Sequence, residues 1–175
     1  MGCGVIQPPR PGMDPFDILG LRRRFTLEVA EIDRVWRELS RKVHPDRFAG
    51  RSAVERRMSL QWTASINEAR RVLREPRSRA HFLATGLSAP PEDRKLQLSP
   101  DFLEEMFELQ LEAKMDPSGV RPEIESRSEK LWTQIRSIFI RWEEGEGDLD
   151  EMEQLLAQLR YVDNALAMTE ASKPG

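Results

Sequence analysis

Apolar positions recur along most of this chain at the three- and four-residue steps of a helix, and no segment shows the sustained alternation of a strand. The first clear stripe is Ile32, Val35, Trp36, Leu39 and Val43, which predicts a helix over residues 28–43. Its opposite surface carries Arg34, Arg37, Arg41 and Lys42. Pro45 closes it, because a residue before proline is pushed out of the helical region. A second stripe, Met58, Trp62, Ile66, Ala69 and Leu73, opens on Ser52-Ala53-Val54-Glu55, a capping-box pattern, and ends at Pro76. Both tryptophans stand in these stripes and are expected in the core. Shorter helices flank the pair. One runs through DPFDILGL, capped by Asp14, with Pro15 in its first turn and Gly20 at its end. The other covers Arg77 to Ala84, with His81 packed or locally hydrogen-bonded. Residues 14–85 thus read as an antiparallel helical hairpin with short flanking helices, its loop at residues 44–51.

The second half is helical as well. Ser99-Pro100-Asp101 is a strong helix start, followed by Phe102, Leu103, Met106, Phe107 and Leu109 to Leu111. Pro117, Gly119 and Pro122 are expected to break the chain. Ile124, Leu131, Ile135, Ile138, Phe139 and Trp142 form a long stripe, interrupted by Gly145 and Gly147. Asp148 and Glu151 begin a last helix with Met152, Leu155, Leu156, Leu159, Val162 and Leu166 on one face. Three such helices bury their stripes against each other, so residues 99–168 predict an antiparallel three-helix bundle. The fold class is all-α. The prolines and charges of residues 86–98 mark a linker, residues 1–13 a disordered leader with Met13 as a candidate start, and residues 169–175 a flexible tail.

Charge divides the chain at the same place. The net charge over 175 residues is −3. Residues 14–88 hold 16 Lys/Arg against 10 Asp/Glu, a net of +6, whereas residues 89–175 hold 10 against 20, a net of −10. Two modules with different partners are implied. No apolar run reaches the roughly 18 residues of a membrane span, and the first residues carry neither a secretory nor a myristoylation signal. Cytoplasm is therefore the expected compartment. One cysteine, Cys3, excludes an internal disulfide and a multi-thiolate zinc site, so no metal and no cofactor are expected. The two histidines, His44 and His81, stand beside no nucleophile, which argues against an enzyme.

The informative segment is the loop Arg41-Lys42-Val43-His44-Pro45-Asp46-Arg47-Phe48. Proline fixes its own φ and restricts His44, so the loop has few conformations. Asp46 can accept a charge-assisted hydrogen bond from a partner's Arg or Lys, and His44 offers one donor and one acceptor. Alone, the strip of Arg34, Arg37, Arg41 and Lys42 reads as a solvated helix face; beside this loop it reads as a docking surface for an acidic partner. Arg22, Arg23 and Arg24 read as solvated loop charges. The ordered set of DPFDILGL, the basic helix, His-Pro-Asp, Phe48, Ile66-Asn67-Glu68-Ala69 and Leu73 resembles the J-domain of the DnaJ-type co-chaperones. The resemblance implies that His44, Pro45, Asp46 and the basic residues Arg34, Arg37, Arg41, Lys42 and Arg47 engage a DnaK-class ATPase and stimulate it.

A J-domain followed by a short linker and an acidic three-helix bundle resembles the HscB family of iron–sulfur cluster co-chaperones, over nearly all of residues 14–168. Phe102-Leu103-Glu104-Glu105-Met106-Phe107-Glu108-Leu109 is similar to that family's first bundle helix, and Leu159-Arg160-Tyr161-Val162-Asp163 to its last. The resemblance implies an IscU-type scaffold protein as client, held through Leu103, Phe107, Glu108 and Tyr161, and a DnaK/HscA-class chaperone as second partner. Glu104 replaces an apolar residue usual in the family, and Leu111 replaces a usual glutamate. The residues themselves leave two readings of the first bundle helix: an exposed binding patch, or complete burial between bundle and J-domain. Two alternatives to the scaffold reading stand. One is a co-chaperone of the same architecture with another client. The other is a small helical nucleic-acid-binding protein, which the acidic bundle disfavours by repelling phosphate. Neither a nucleic acid nor a membrane is an expected partner.

Overall fold

The structure, a computed structural model, describes residues 7–87 and 98–171. Its elements are all helical: α1 Pro15–Leu19, α2 Val29–Val43, a single 3-10 turn Pro45–Phe48, α3 Ala53–Arg74, α4 Pro76–Thr85, α5 Pro100–Met115, α6 Pro117–Glu143 and α7 Met152–Ala171. They divide into two compact units, Met1–Leu83 and Ala84–Gly175. The expected linker lies mostly outside the described residues, as do residues 1–6 of the expected leader and most of the expected tail.

In the first unit α2 and α3 form the hairpin, and α1 packs on α3. The core is Phe16, Leu19, Phe25, Leu27, Ile32, Ile66, Ala69, Val72, Leu73, Ala80, Phe82 and Leu83. Local chemistry sets the ends. Asp14 and Asp17 cap α1 reciprocally, and Gly20 closes it in the left-handed region at φ 63°. Ser52 and Glu55 do the same for the start of α3. Arg79 is 5% exposed; it donates to the carbonyls of Leu27 and Leu73 at 3.2 and 2.8 Å and lies 5.2 Å from the centre of the Phe25 ring. It thereby satisfies a carbonyl left over at the end of α3.

The bundle places each of α5, α6 and α7 against the other two. Met106, Leu109 and Ala113 of α5, Ile124, Leu131, Ile135 and Phe139 of α6, and Met152, Leu159, Val162 and Ala165 of α7 are buried and form the interior. Arg121 at the start of α6 reaches Thr169 and Glu170 at the end of α7, as antiparallel packing requires.

Several expectations are corrected. Residues 117–122 do not break the chain: α6 begins at Pro117 and runs through Pro122. Proline suits the first turn, and the exposed Pro122 gives up one backbone bond that burial of Val120 and Ile124 outweighs. Helix α7 continues past residue 168, with Thr169 buried. Trp36 and Trp62 are half-buried rather than core. Trp62 donates its indole N–H to the Gln7 carbonyl at 2.6 Å, so the described end of the leader is tied to α3. Arg23 and Arg24 are not free loop charges: Arg23 pairs with Asp14 at 2.7 Å and lies over Phe16 and Phe82, and Arg24 pairs with Glu31 at 3.1 Å.

Candidate functional sites

The loop chemistry starts with the end of α2. His44 caps the helix at φ −55° and ψ 131°, the extended geometry that a following proline imposes. Its Nδ1 accepts the Asp46 backbone N–H at 3.3 Å, so in the neutral ring Nε2 is the protonated nitrogen. The Asp46 carboxylate lies 3.4 Å from the same nitrogen and is 90% exposed. Two contacts fix the loop from behind. Buried Ser59 of α3 donates to the Val43 carbonyl at 2.6 Å, and Arg47 donates to the Arg41 carbonyl at 3.2 Å. Both satisfy acceptors that the helix end leaves over.

The basic residues stand where the helical pattern places them. Arg34, Arg37, Arg41 and Lys42 are all exposed, and Arg34 shares its charge with Glu38 at 3.0 Å. Arg41 and Lys42 in the last turn also suit the negative end of the helix dipole. Between strip and loop lies a shallow depression of about 420 Å³, lined by Trp36, Arg37, Ser40, Arg41, His44 and Arg47. An indole with cationic groups around it is chemically suited to an acidic surface that carries an apolar group.

The second candidate surface is on α5. Leu103, Phe107, Leu111 and Met115 are 39%, 68%, 50% and 80% exposed, and steps of four residues align them in one row. The row is about 18 Å long at 1.5 Å per residue. Within the bundle itself these apolar residues are therefore not buried. Glu104, Glu108 and Glu112 are exposed alongside, one position on. Tyr161 of α7 is half-buried and edge-on to Phe102, ring centres 6.3 Å apart. The structure thus gathers Leu103, Phe107 and Glu108 on one exposed helix surface, with Tyr161 tied to the same helix through Phe102. Sequence reasoning missed Met115, Ser59 and the lining role of Trp36. The spacing of Leu111 and Met115 from Phe107 was the signal for the first; Ser59 carried none, because its partner on α2 depends on how the two helices are registered.

No helix among the described residues is long and apolar enough to cross a membrane. Comparison with known proteins gives consistent results. The DnaJ domain family matches residues 14–82. The co-chaperone protein HscB homolog of Bordetella pertussis is 30% identical over 169 residues, covering 92% of this chain and 96% of the relative. The iron–sulfur cluster co-chaperone protein HscB of Mus musculus is 27% identical over 180 residues, covering 98% and 74%. The crystal structure of human co-chaperone protein HscB superposes with a TM-score of 0.75 at 26% identity, over 97% of this chain and 86% of the human one. With a DnaJ domain over residues 14–82, helices throughout its described residues and 30% identity to an HscB homolog over 92% of its length, the chain belongs to the HscB family of co-chaperones.

Proposed function

We propose that this protein docks on a DnaK/HscA-class chaperone through His44, Pro45, Asp46, Arg34, Arg37, Arg41, Lys42 and Arg47, stimulates its ATPase, and delivers an IscU-type scaffold protein held on the bundle through Leu103, Phe107, Glu108 and Tyr161. The observation that carries the reading is the exposed His44-Pro45-Asp46 turn at the end of a basic helix, within a chain of the HscB family. The chain is not an enzyme: co-chaperones act through a partner's chemistry. His44 and Asp46 present a donor and an acceptor in a geometry held by Ser59 and Arg47, so docking orders little that is not already ordered. The exposed row on α5 supplies an apolar footing for the client, and its glutamates favour a client with basic groups beside an apolar ridge. Holding both partners raises the client's effective concentration at the chaperone. Cytoplasm is the compartment this reading assigns, on the sequence alone.

The test is steady-state ATP turnover by the purified chaperone with wild-type chain and with Asp46→Asn. The variant is expected to lose at least nine-tenths of the stimulation, by analogy with truncating one partner of a charged hydrogen bond, about 2 kcal/mol or more. Full stimulation by Asp46→Asn contradicts the docking assignment.

A further inference from the structure

The α2–α3 interface carries a four-residue arrangement that the docking assignment does not use. Asp33 and Trp36 are three residues apart on α2, and Asn67 and Arg70 three apart on α3. The Arg70 guanidinium carbon lies 4.1 Å from the centre of the Trp36 ring, within cation–π range. Its Nε donates to Asp33 at 2.8 Å, and Arg74 approaches the same carboxylate at 3.5 Å. The indole N–H of Trp36 donates to Asn67 at 2.9 Å. Trp36 is therefore held at two points, its N–H and its ring face, by residues of the other helix. The same indole lines the depression beside His44, whereas Asn67 and Arg70 line a different one with Arg71, Arg74, Glu75 and Pro76.

We propose that Arg70 is a positioning residue for the chaperone-docking groove: stacked on Trp36 and anchored to Asp33, it holds the indole in the one rotamer that floors the groove. The inference rests on the docking reading above and deepens it. The hairpin also has other ties, because Ile32 and Ile66 are fully buried and Ser59 joins α3 to the end of α2. What Arg70 adds is orientation. Without it, a half-buried indole gains rotamer freedom that the partner must remove on docking.

The experiment uses the full chain with 5-fluorotryptophan incorporated, its Trp36 resonance assigned by Trp36→Phe, together with titrations of chaperone ATPase stimulation. For Arg70→Met the chain concentration giving half-maximal stimulation is expected to rise about fivefold, with the maximum at saturation retained. The Trp36 fluorine resonance shifts or broadens while those of Trp132 and Trp142 stay in place. Arg70→Lys, which keeps a cation but not the planar guanidinium, restores part of both effects. An unchanged half-maximal concentration in a folded Arg70→Met chain overturns the proposal. So does a fall in maximum with no change in half-saturation. Should Arg70→Met fail to fold, Asn67→Ala decides: it must displace the Trp36 resonance and raise the half-maximal concentration, and failure to do either overturns the proposal. Loss of stimulation in Asp46→Asn, run in parallel, shows that the docking reading stands whatever Arg70 does; retention shows that the reading itself has failed.

Discussion

Ser59 is the residue on which the geometry of the His-Pro-Asp turn most depends. It is buried, and its hydroxyl meets the Val43 carbonyl at the point where α2 ends and the turn begins. Ser59→Ala leaves that carbonyl without its protein donor and is expected to cost about 1–2 kcal/mol in denaturant unfolding, with weaker ATPase stimulation than the stability loss alone explains. Asp33 gives a second residue-scale expectation. Hydrogen bonding from Arg70, helped by the charges of Arg70 and Arg74, holds its carboxyl below the ordinary value of 3.8. A carboxyl lowered in the folded state stabilises fully above its unfolded value, and that contribution is lost as pH falls through the folded one. The difference in melting temperature between wild type and Asp33→Asn is therefore expected to be largest near about pH 7 and to shrink below about pH 4. A difference that stays constant down to low pH contradicts the ion-pair account. The cross-helix partners Ser59, Asn67 and Arg70 were not legible in the sequence. Their roles depend on the register of α3 against α2, which a single chain's spacing does not contain. His44, Pro45, Asp46 and the basic strip were legible, because their chemistry lies within one continuous segment.

At the scale of elements, spacing predicted each α-helix described but misjudged depth and two boundaries, the start of α6 and the end of α7. A period of 3.6 residues says which face turns inward, not how far; Trp36 and Trp62 lie at the margin of the apolar face, where a large ring is covered on one side only. The start of α6 was misread because proline and glycine there serve the cap. Asp116 accepts the Gly119 N–H at 3.0 Å, and a Cβ on Gly119 would run into that carboxylate. Gly119→Ala is accordingly expected to destabilise the bundle by about 1 kcal/mol in thermal unfolding, although alanine is the better helix former. Stabilisation by Gly119→Ala would show that the cap contributes nothing. On α5 the sequence showed too many apolar residues for one inward stripe, and the structure sorts them into Met106, Leu109 and Ala113 inside and Leu103, Phe107, Leu111 and Met115 outside. Leu111 lengthens that outer row.

At the scale of the molecule, the near-neutral total conceals a basic unit and an acidic one, and the two proposed interfaces differ in kind. Docking through Arg37, Arg41 and Lys42 is steered by charge, so its association rate is expected to fall several-fold between about 50 and 300 mM salt. Client capture through an apolar row of α5 is expected to change less over the same range, as read by surface-immobilised binding of each partner to the full chain. Equal salt sensitivity of the two contradicts the assignment of the units to different partners.

The central claim is that one chain holds both partners and thereby couples delivery to ATP hydrolysis. It is tested most directly by titrating the scaffold protein into chaperone and ATP, with wild-type chain or with Leu103→Ala/Phe107→Ala. Wild type is expected to lower the scaffold concentration for half-maximal turnover by at least tenfold, through tethering. The double variant is expected to stimulate the chaperone in the absence of scaffold as wild type does, yet to leave that concentration unlowered. A double variant that lowers it as much as wild type contradicts the claim.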